Sequence, residues 1–304
     1  MLPTADEIAQ LRAHPRFSEA VHSSSSGLIE MYQGNRVFNA MLNDRARVQM
    51  GFFSLYLYWS RKGDAPSGLT IGRLKEICVE GNFCSPGRVE GMVALMRVFG
   101  YARLESDPRD QRVKLIIPTD KLIQTHLRRW RRQFAAMTLA IPEAAHWVEA
   151  MDGGGEFAPA FLRHLCERYI AGFRVLDAVP EVAPFIDRNS GWLILLNLLV
   201  RSGAHGRMTE PSVITVNLSR MSRRFGVSRS HARKLLGDAE EAGFIRQSGR
   251  DKSDVAVLPF MADRIETALA ILFITMSQCA REALADIADP GRRRSSSSRM
   301  PATT

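Results

Sequence analysis

Side chains that can hold an anion and read a polar edge crowd one stretch of this chain. From Ser228 to Lys234 the order is Ser-Arg-Ser-His-Ala-Arg-Lys, and the acids Asp238, Glu240 and Glu241 follow. Cationic and hydrogen-bonding groups in the first half of one helix suit the groove of a nucleic acid. There a guanidinium can pair with guanine O6 and N7, while lysine and serine hold phosphate or base edges. Arg229, Ser230, His231, Arg233 and Lys234 are therefore candidates, with Arg233 the base reader. Arg220, Arg223 and Arg224, a few residues earlier, would sit against the phosphate backbone. Arg250 and Lys252 would project from the tip QSGRDKSD towards phosphate or a minor groove. The plainer reading is a solvated basic face on an ordinary helix.

These groups need elements to carry them. Leu218, Met221 and Phe225 give a first helix its apolar face, Gly226 permits a turn, and Ser228 is a good cap. Ala232, Leu235, Leu236 and Ala239 fall on one face at helical spacing, so the basic residues lie opposite. A hairpin at Phe244–Pro259 follows. Two helices around a tight turn, then a hairpin, make a winged helix-turn-helix. Entry of the second helix by its N-terminal end fits the charge polarity.

The chain carries this pattern twice. Gly51–Gly63, GFFSLYLYWSRKG, matches Gly191–Gly203, GWLILLNLLVRSG. Upstream, YQGNRVFNAM (Tyr32–Met41) matches IAGFRVLDAV (Ile170–Val179). Downstream, each copy has a Ser-started helix, an aromatic after Gly, and an apolar strand ending in Pro. The period is far too long for a solenoid, so a duplicated domain is expected. The fold class is then mainly α with small β-wings: a tandem duplicated winged helix-turn-helix forming a pseudo-twofold single-chain dimer.

In detail, residues 1 to about 22 read as a polar lead, and Ser23–Ser26 as a cap or a loose stretch. Leu28–Lys62 is helical with a break near Asn43–Asp44. Leu69–Gly81 and Ser85–Phe99 are short helices, Tyr101–Pro118 a hairpin, and Asp120–Leu139 a long helix. Pro142 and MDGGGEFAP then interrupt the chain. Helices at Phe161–Val179, Asp187–Arg201, Val216–Phe225, Ser228–Ala242 and Met261–Ile287 belong to the second copy. The units are 1–141, 142–288 and a basic, serine-rich tail, 289–304, too poor in apolar residues to fold.

In the first copy, YARLESDPRDQRVKLIIPTDK sits after the helix-turn-helix at Leu69–Gly100. This stretch resembles the MarR family of winged-helix regulators, whose wing typically reads Asp-x-Arg-Asp-x-Arg before a strand. Here the matching residues are Asp107, Arg109, Asp110 and Arg112. The resemblance covers roughly Val48–Phe134. It implies that Arg109 and Arg112 reach DNA, joined by Lys114 on the same hairpin, and that Asp107 and Asp110 brace them. The second copy is similar only in outline, because QSGRDKSD lacks the motif. The family works as a homodimer on a near-palindrome. A fused pair implies a monomeric pseudo-dimer instead, on an asymmetric site.

The first recognition helix departs from this picture. Its core positions are Val89, Met92, Val93 and Met96, leaving Gly87, Glu90, Gly91 and Ala94 outward with Arg88 at the flank. Either the glycines allow close groove approach, with Glu90 accepting from cytosine N4, or this half has lost base reading and keeps backbone contacts through its wing. The second reading is favoured. A winged-helix adaptor using this smooth face for a protein partner is the rival from another class.

Arg128, Arg129, Arg131 and Arg132 around Trp130 read as a solvated face. Cys84 precedes a helix N-terminus, where a thiolate is favoured, but it aligns with the core position Val227. Trp59, Trp147 and Trp192 read as core, with an effector pocket as the alternative. The expected interface between the copies uses YQGNRVFNAM, IAGFRVLDAV and the long helices Asp120–Leu139 and Met261–Ile287.

A net charge of +9 over 304 residues attracts polyanions, nucleic acid before anionic membrane. The four cysteines lack metal-ligand spacing and suggest a reducing cytoplasm with no zinc. WLILLNLLV and ALAILFITM are too short to span a bilayer. No GxSxG, HExxH or glycine-rich phosphate loop is present, so no enzyme and no cofactor are expected. The expected partner is double-stranded DNA, with an effector of unknown identity.

Overall fold

The computed structural model describes residues 2–32, 44–61, 67–249 and 251–289. It is mainly helical with two small antiparallel sheets. In the first half α1 spans Ala5–Ala13, α2 Phe17–Tyr32, α3 Arg45–Trp59, α4 Ile71–Glu80 and α5 Pro86–Val98. β1 (Ala102–Asp107) and β2 (Asp110–Pro118) form a hairpin with Ala102 opposite Pro118, and α6 spans Asp120–Met137. An isolated bridge from Thr70 to Leu115 adds a third pairing beside β2.

The second half has α7 at Ala144–Asp152 and α8 at Phe157–Ile170. Short 3-10 turns lead to α9 (Ala183–Ile186) and α10 (Gly191–Ser202). β3 (Ser212–Thr215), α11 (Leu218–Phe225), α12 (Arg229–Glu241), β4 (Ile245–Ser248), β5 (Asp254–Val257) and α13 (Pro259–Ala288) complete it. β5 lies between β3 and β4, with Ser212 and Ile245 both opposite Val257.

Local chemistry sets these bounds. The side chains of Asp44, Thr70, Asn217 and Ser228 each accept from a backbone amide three residues on, satisfying first-turn donors. Gly226 closes α11 with a φ of 65°, the left-handed geometry glycine adopts without penalty.

Several expectations are corrected. The 23–26 serine run is neither cap nor loose stretch but lies inside α2. Ser24 and Ser25 are buried, and Ser24 Oγ accepts from the Gln133 amide at 2.7 Å. Small side chains allow α6 to lie close there, so packing overrides their modest helix propensity. β3 was not foreseen, and Val216 lies in the link between it and α11 rather than in a helix. The Val216 amide donates to Ser253 O at 2.7 Å, extending the sheet up to the Asn217 cap. The helix expected through 179 ends at Ile170.

The packing exchanges arms between the halves. α2 lies against α6 of its own half and α10 of the other; α8 lies against α13 of its own half and α3 of the other. α1 runs along α13, and α7 along α6. α6 and α13 thus flank the contact between halves, as expected, but each packs on arm helices that the sequence did not single out. One hydrophobic cluster runs from Phe17 to Ala283 across residue 141. Of three polar clasps, one crosses between the halves and two tie helices within the second half. Arg12 donates to Asp263 at 2.5 Å, and Arg281 grips Glu143 at 2.6 and 2.8 Å. On α8, Arg168 holds Glu282 through two bonds of 2.7 and 2.8 Å.

Arg128, Arg131 and Arg132 around Trp130 are exposed, as a solvated face requires, and Arg129 is half-buried. Trp130 is buried, Arg131 donates to Asp152 at 2.5 Å, Arg129 to the Tyr32 hydroxyl at 3.3 Å, and Arg132 to Gly27 O at 3.1 Å. They fasten α6 to both neighbours. The repeat at 32–41 lies outside the described residues except for Tyr32. In its counterpart, Arg174 crosses to the first half, donating to Gly81 O at 2.6 Å with its guanidinium 4.2 Å from the Phe83 ring centre.

α13 is the one described helix long and apolar enough to cross a bilayer, with a mean hydropathy of 1.3 over its best window. The sequence reading had taken its apolar run as too short. Most of that window is buried against α8, α1 and α2, which is how a core helix passes the same test.

Candidate nucleic-acid interface

α12 divides as its spacing predicts. Ala232, Leu235, Leu236 and Ala239 are buried, while Arg229, Ser230, Arg233 and Lys234 are exposed. Arg233 and Lys234 make no hydrogen bond or ion pair with another described residue. Their neighbours are more occupied. Arg229 donates to Ser219 Oγ on α11 at 3.2 Å, Ser230 and Ser228 share a hydroxyl contact of 2.9 Å, and the His231 ring meets Asn189 O at 3.0 Å. His231 therefore acts first as a tether between α12 and the segment before α10.

Two of the three acids of α12 are turned to structure, and Glu241 at its end is exposed. Arg188 pairs with Asp238, and Glu240 accepts from the Gln247 amide at 2.6 Å and lies 3.7 Å from Lys252 Nζ. This leaves the N-terminal half of the helix with positive charge and no internal counter-charge. Lys252 is exposed at the tip of the β4–β5 hairpin but leans towards Glu240. Arg250 lies outside the described residues.

α11 presents Arg220 and Arg223 to solvent, whereas Arg224 is half-buried and donates to Asn197 Oδ1 at 3.2 Å. The sequence reading missed two neighbours of this helix, Asn197 and Arg201 on α10. The signals were available: Asn197 is the one polar residue inside WLILLNLLV, and Arg201 recurs as Arg61 in the repeated segment.

In the first half the hairpin tip is held by short-range bonds from its two aspartates. Asp107 accepts from the Arg109 backbone amide at 2.9 Å and from its guanidinium at 3.2 Å, and these bonds hold its carboxyl below the ordinary range. Asp110 accepts from the Arg112 amide at 3.0 Å, so it braces backbone rather than guanidinium. Arg112 is exposed, and Lys114 donates to Ser106 at 2.7 Å.

α5 buries Val89, Met92, Val93 and Met96. Gly87, Glu90, Gly91 and Ala94 face out, with open space above both glycines. Glu90 is engaged by Lys75 at 2.5 Å, and Arg88 by Asp44 at 2.9 Å. The outward charges in the first half of this helix are thus already answered inside the protein, whereas Arg97 in its last turn is exposed.

Cys84 is half-buried, and burial raises its thiol above the ordinary value, which removes the thiolate reading. Trp147 is buried, and Trp59 packs half-buried on the core. Trp192 instead lines a cavity of about 200 Å³ between the halves, with Tyr32, Gln49, Arg129 and Arg174 among its other walls. No protein-family model, curated protein or solved structure matches the chain.

Proposed function

We propose that the chain is a sequence-specific, double-stranded DNA-binding transcription regulator built from two tandem MarR-like winged-helix modules. It acts as a single-chain pseudo-dimer. The observation that carries this reading is the exposed pair Arg233 and Lys234, uncommitted on the face of α12 opposite its buried side, at the end that enters a major groove. The recurring element order supports the duplication. So does the packing, in which α1 pairs with α13 as α7 does with α6, and α2 with α10 as α8 does with α3. A small-molecule effector would find its space in the cavity lined by Trp192.

Among the described residues, α12 presents uncommitted cations in its first half and α5 does not, which supports an asymmetric preferred site. Its half-sites lie about one helical turn, ~10 bp, apart. Selecting duplexes from random DNA with the full-length chain tests this. Enrichment of one strong half-site with a weaker companion is expected, and a pool without enrichment would remove the reading. One observation favours a protein-binding adaptor as the second reading: Val98, at the end of the smooth α5 face, is 77% exposed. DNA affinity falls steeply with salt, whereas an apolar protein contact does not.

A further inference from the structure

Between α10, β3 and the start of α11 lies a cleft of about 360 Å³. Arg201, Arg220 and Arg224 converge on it with Asn197, Thr215 and Asn217, and its lining contains no carboxylate. Three guanidinium groups in one recess are mutually repulsive. Burial, then Arg201 and Arg220, lower the Arg224 pKa from its ordinary value, with Glu30 opposing. The recess is nevertheless constructed. Asn197, only 4% exposed, fixes the Arg224 head through its Oδ1; Arg201 is tethered to Thr215 O at 2.7 Å; and Asn217 caps the helix that opens onto the cleft. The first-turn amides of α11 add partial positive charge. A tetrahedral oxyanion is the ligand class that these guanidinium, amide and backbone donors together fit.

The corresponding place in the first half is built differently. Counting from the caps Thr70 and Asn217, Arg73 stands for Arg220 but Ile77 for Arg224. Counting from Gly51 and Gly191, Arg61 stands for Arg201 but the buried Leu57 for Asn197. The outer arginines recur, whereas the inner Asn–Arg pair occurs in the second half alone. A generic basic surface does not require a buried amide to orient one of its cations.

We propose that this cleft is a phosphate seat, filled by a backbone phosphodiester when the second module docks on DNA. The identity of the occupant rests on the DNA-binding reading, whereas the seat itself does not. Two variants of the full-length chain test it. Arg220→Gln removes one exposed cation, and Asn197→Leu with Arg224→Ile installs the first half's own side chains. Thermal melting is followed with inorganic phosphate against chloride at matched ionic strength. General salting-out by phosphate is common to all three proteins, so the difference between them isolates the seat. DNA affinity is then measured across a salt series.

The expected result is a phosphate-dependent rise in melting temperature for the parent, smaller in Arg220→Gln and lost in the double variant. The parent's DNA salt slope should exceed that of Arg220→Gln by about one. If phosphate acts as expected but both proteins share one DNA slope, the seat stands and serves a free phosphate anion. If the parent binds no DNA yet shows the phosphate effect, the DNA reading fails alone. Equal phosphate responses in parent and Arg220→Gln, with equal DNA slopes, overturn the seat while leaving DNA binding untouched; Arg220→Gln decides this even if the double variant does not fold.

Discussion

Arg233 and Arg112 are both exposed arginines on projecting elements, yet they should fail differently. On the proposed docking, Arg233, on the exposed face of α12, would pair with one base. Arg112, on the β1–β2 hairpin, would contact phosphate and groove wall instead. Arg233→Ala should therefore lower the preference for the selected duplex over a scrambled one by about 1–3 kcal/mol, or five- to hundredfold. Arg112→Ala should weaken both duplexes alike and reduce the salt slope by about one. Competition binding at two salt concentrations separates the two, and a specificity loss from Arg112→Ala would reassign the wing. A second residue-level prediction concerns His126. It is fully buried between Phe52 and Trp130, and neither ring nitrogen has a hydrogen-bond partner among the described residues. Burial, then the charge on Arg129, push its pKa down to about 3. The unfolded chain would titrate near 6.5, so the folded state keeps full stability above about pH 6.5 and loses it between there and pH 3. His126→Leu should flatten the decline in melting temperature across that window and leave pH 8 stability within about 1 kcal/mol. An unchanged acid profile would place the sensitivity elsewhere.

The recurring glycines show what spacing reveals and what it conceals at the level of elements. Gly51 and Gly191 were visible as matched positions in the repeat, but the reason for each lies in a neighbour. A Cβ on Gly51 would fall 2.6 Å from His126 Nε2, where α6 crosses α3. One on Gly191 would fall 2.2 Å from Phe185 O, a backbone atom. A side chain can shift and a carbonyl in a packed turn cannot, so Gly191→Ala should destabilise more than Gly51→Ala. The losses should lie within about 1–3 kcal/mol, read from chemical denaturation; equal losses would mean the ring cannot move either. Periodicity made the core faces of α5 and α12, the Ser228 cap and both hairpins legible, because those depend on residues within a turn or two of one another. β3 escaped, being four residues whose only claim to strand structure is a partner forty positions away. The partners of the arginines around Trp130 escaped for the same reason: the carboxylate, hydroxyl and carbonyl that Arg131, Arg129 and Arg132 meet lie on α7 and α2. Arg233 and Lys234 were legible as candidates because no distant residue occupies them, whereas His231 and Arg88 are tied by partners that only the fold brings near.

At the scale of the whole molecule, the arms decide what counts as a unit. The covalent boundary near residues 141–155 is not a boundary in the core, since α1 and α2 close on α13 and α10 while α8 closes on α3. Each half supplies a surface that the other needs, as subunits of an intertwined dimer do. The connection itself contributes little contact: the 153–155 glycines sit between α7 and α8, and two of them face open space. A protease site inserted after Gly153 and cut after folding should leave fragments 1–153 and 154–304 in one particle that elutes as the intact chain. The nicked complex should still melt in a single transition, because neither fragment retains a complete core. Its melting temperature should fall on dilution, since association has become bimolecular and concentration now enters the equilibrium. DNA affinity at concentrations above dissociation should be unchanged, as the relative placement of α5 and α12 is set by the crossed helices and not by the linker. Separation of the fragments on the column, or two independent melting transitions, would show instead that each half folds alone. The relative placement of the two recognition helices would then depend on the linker, and the fixed half-site spacing would have no structural basis.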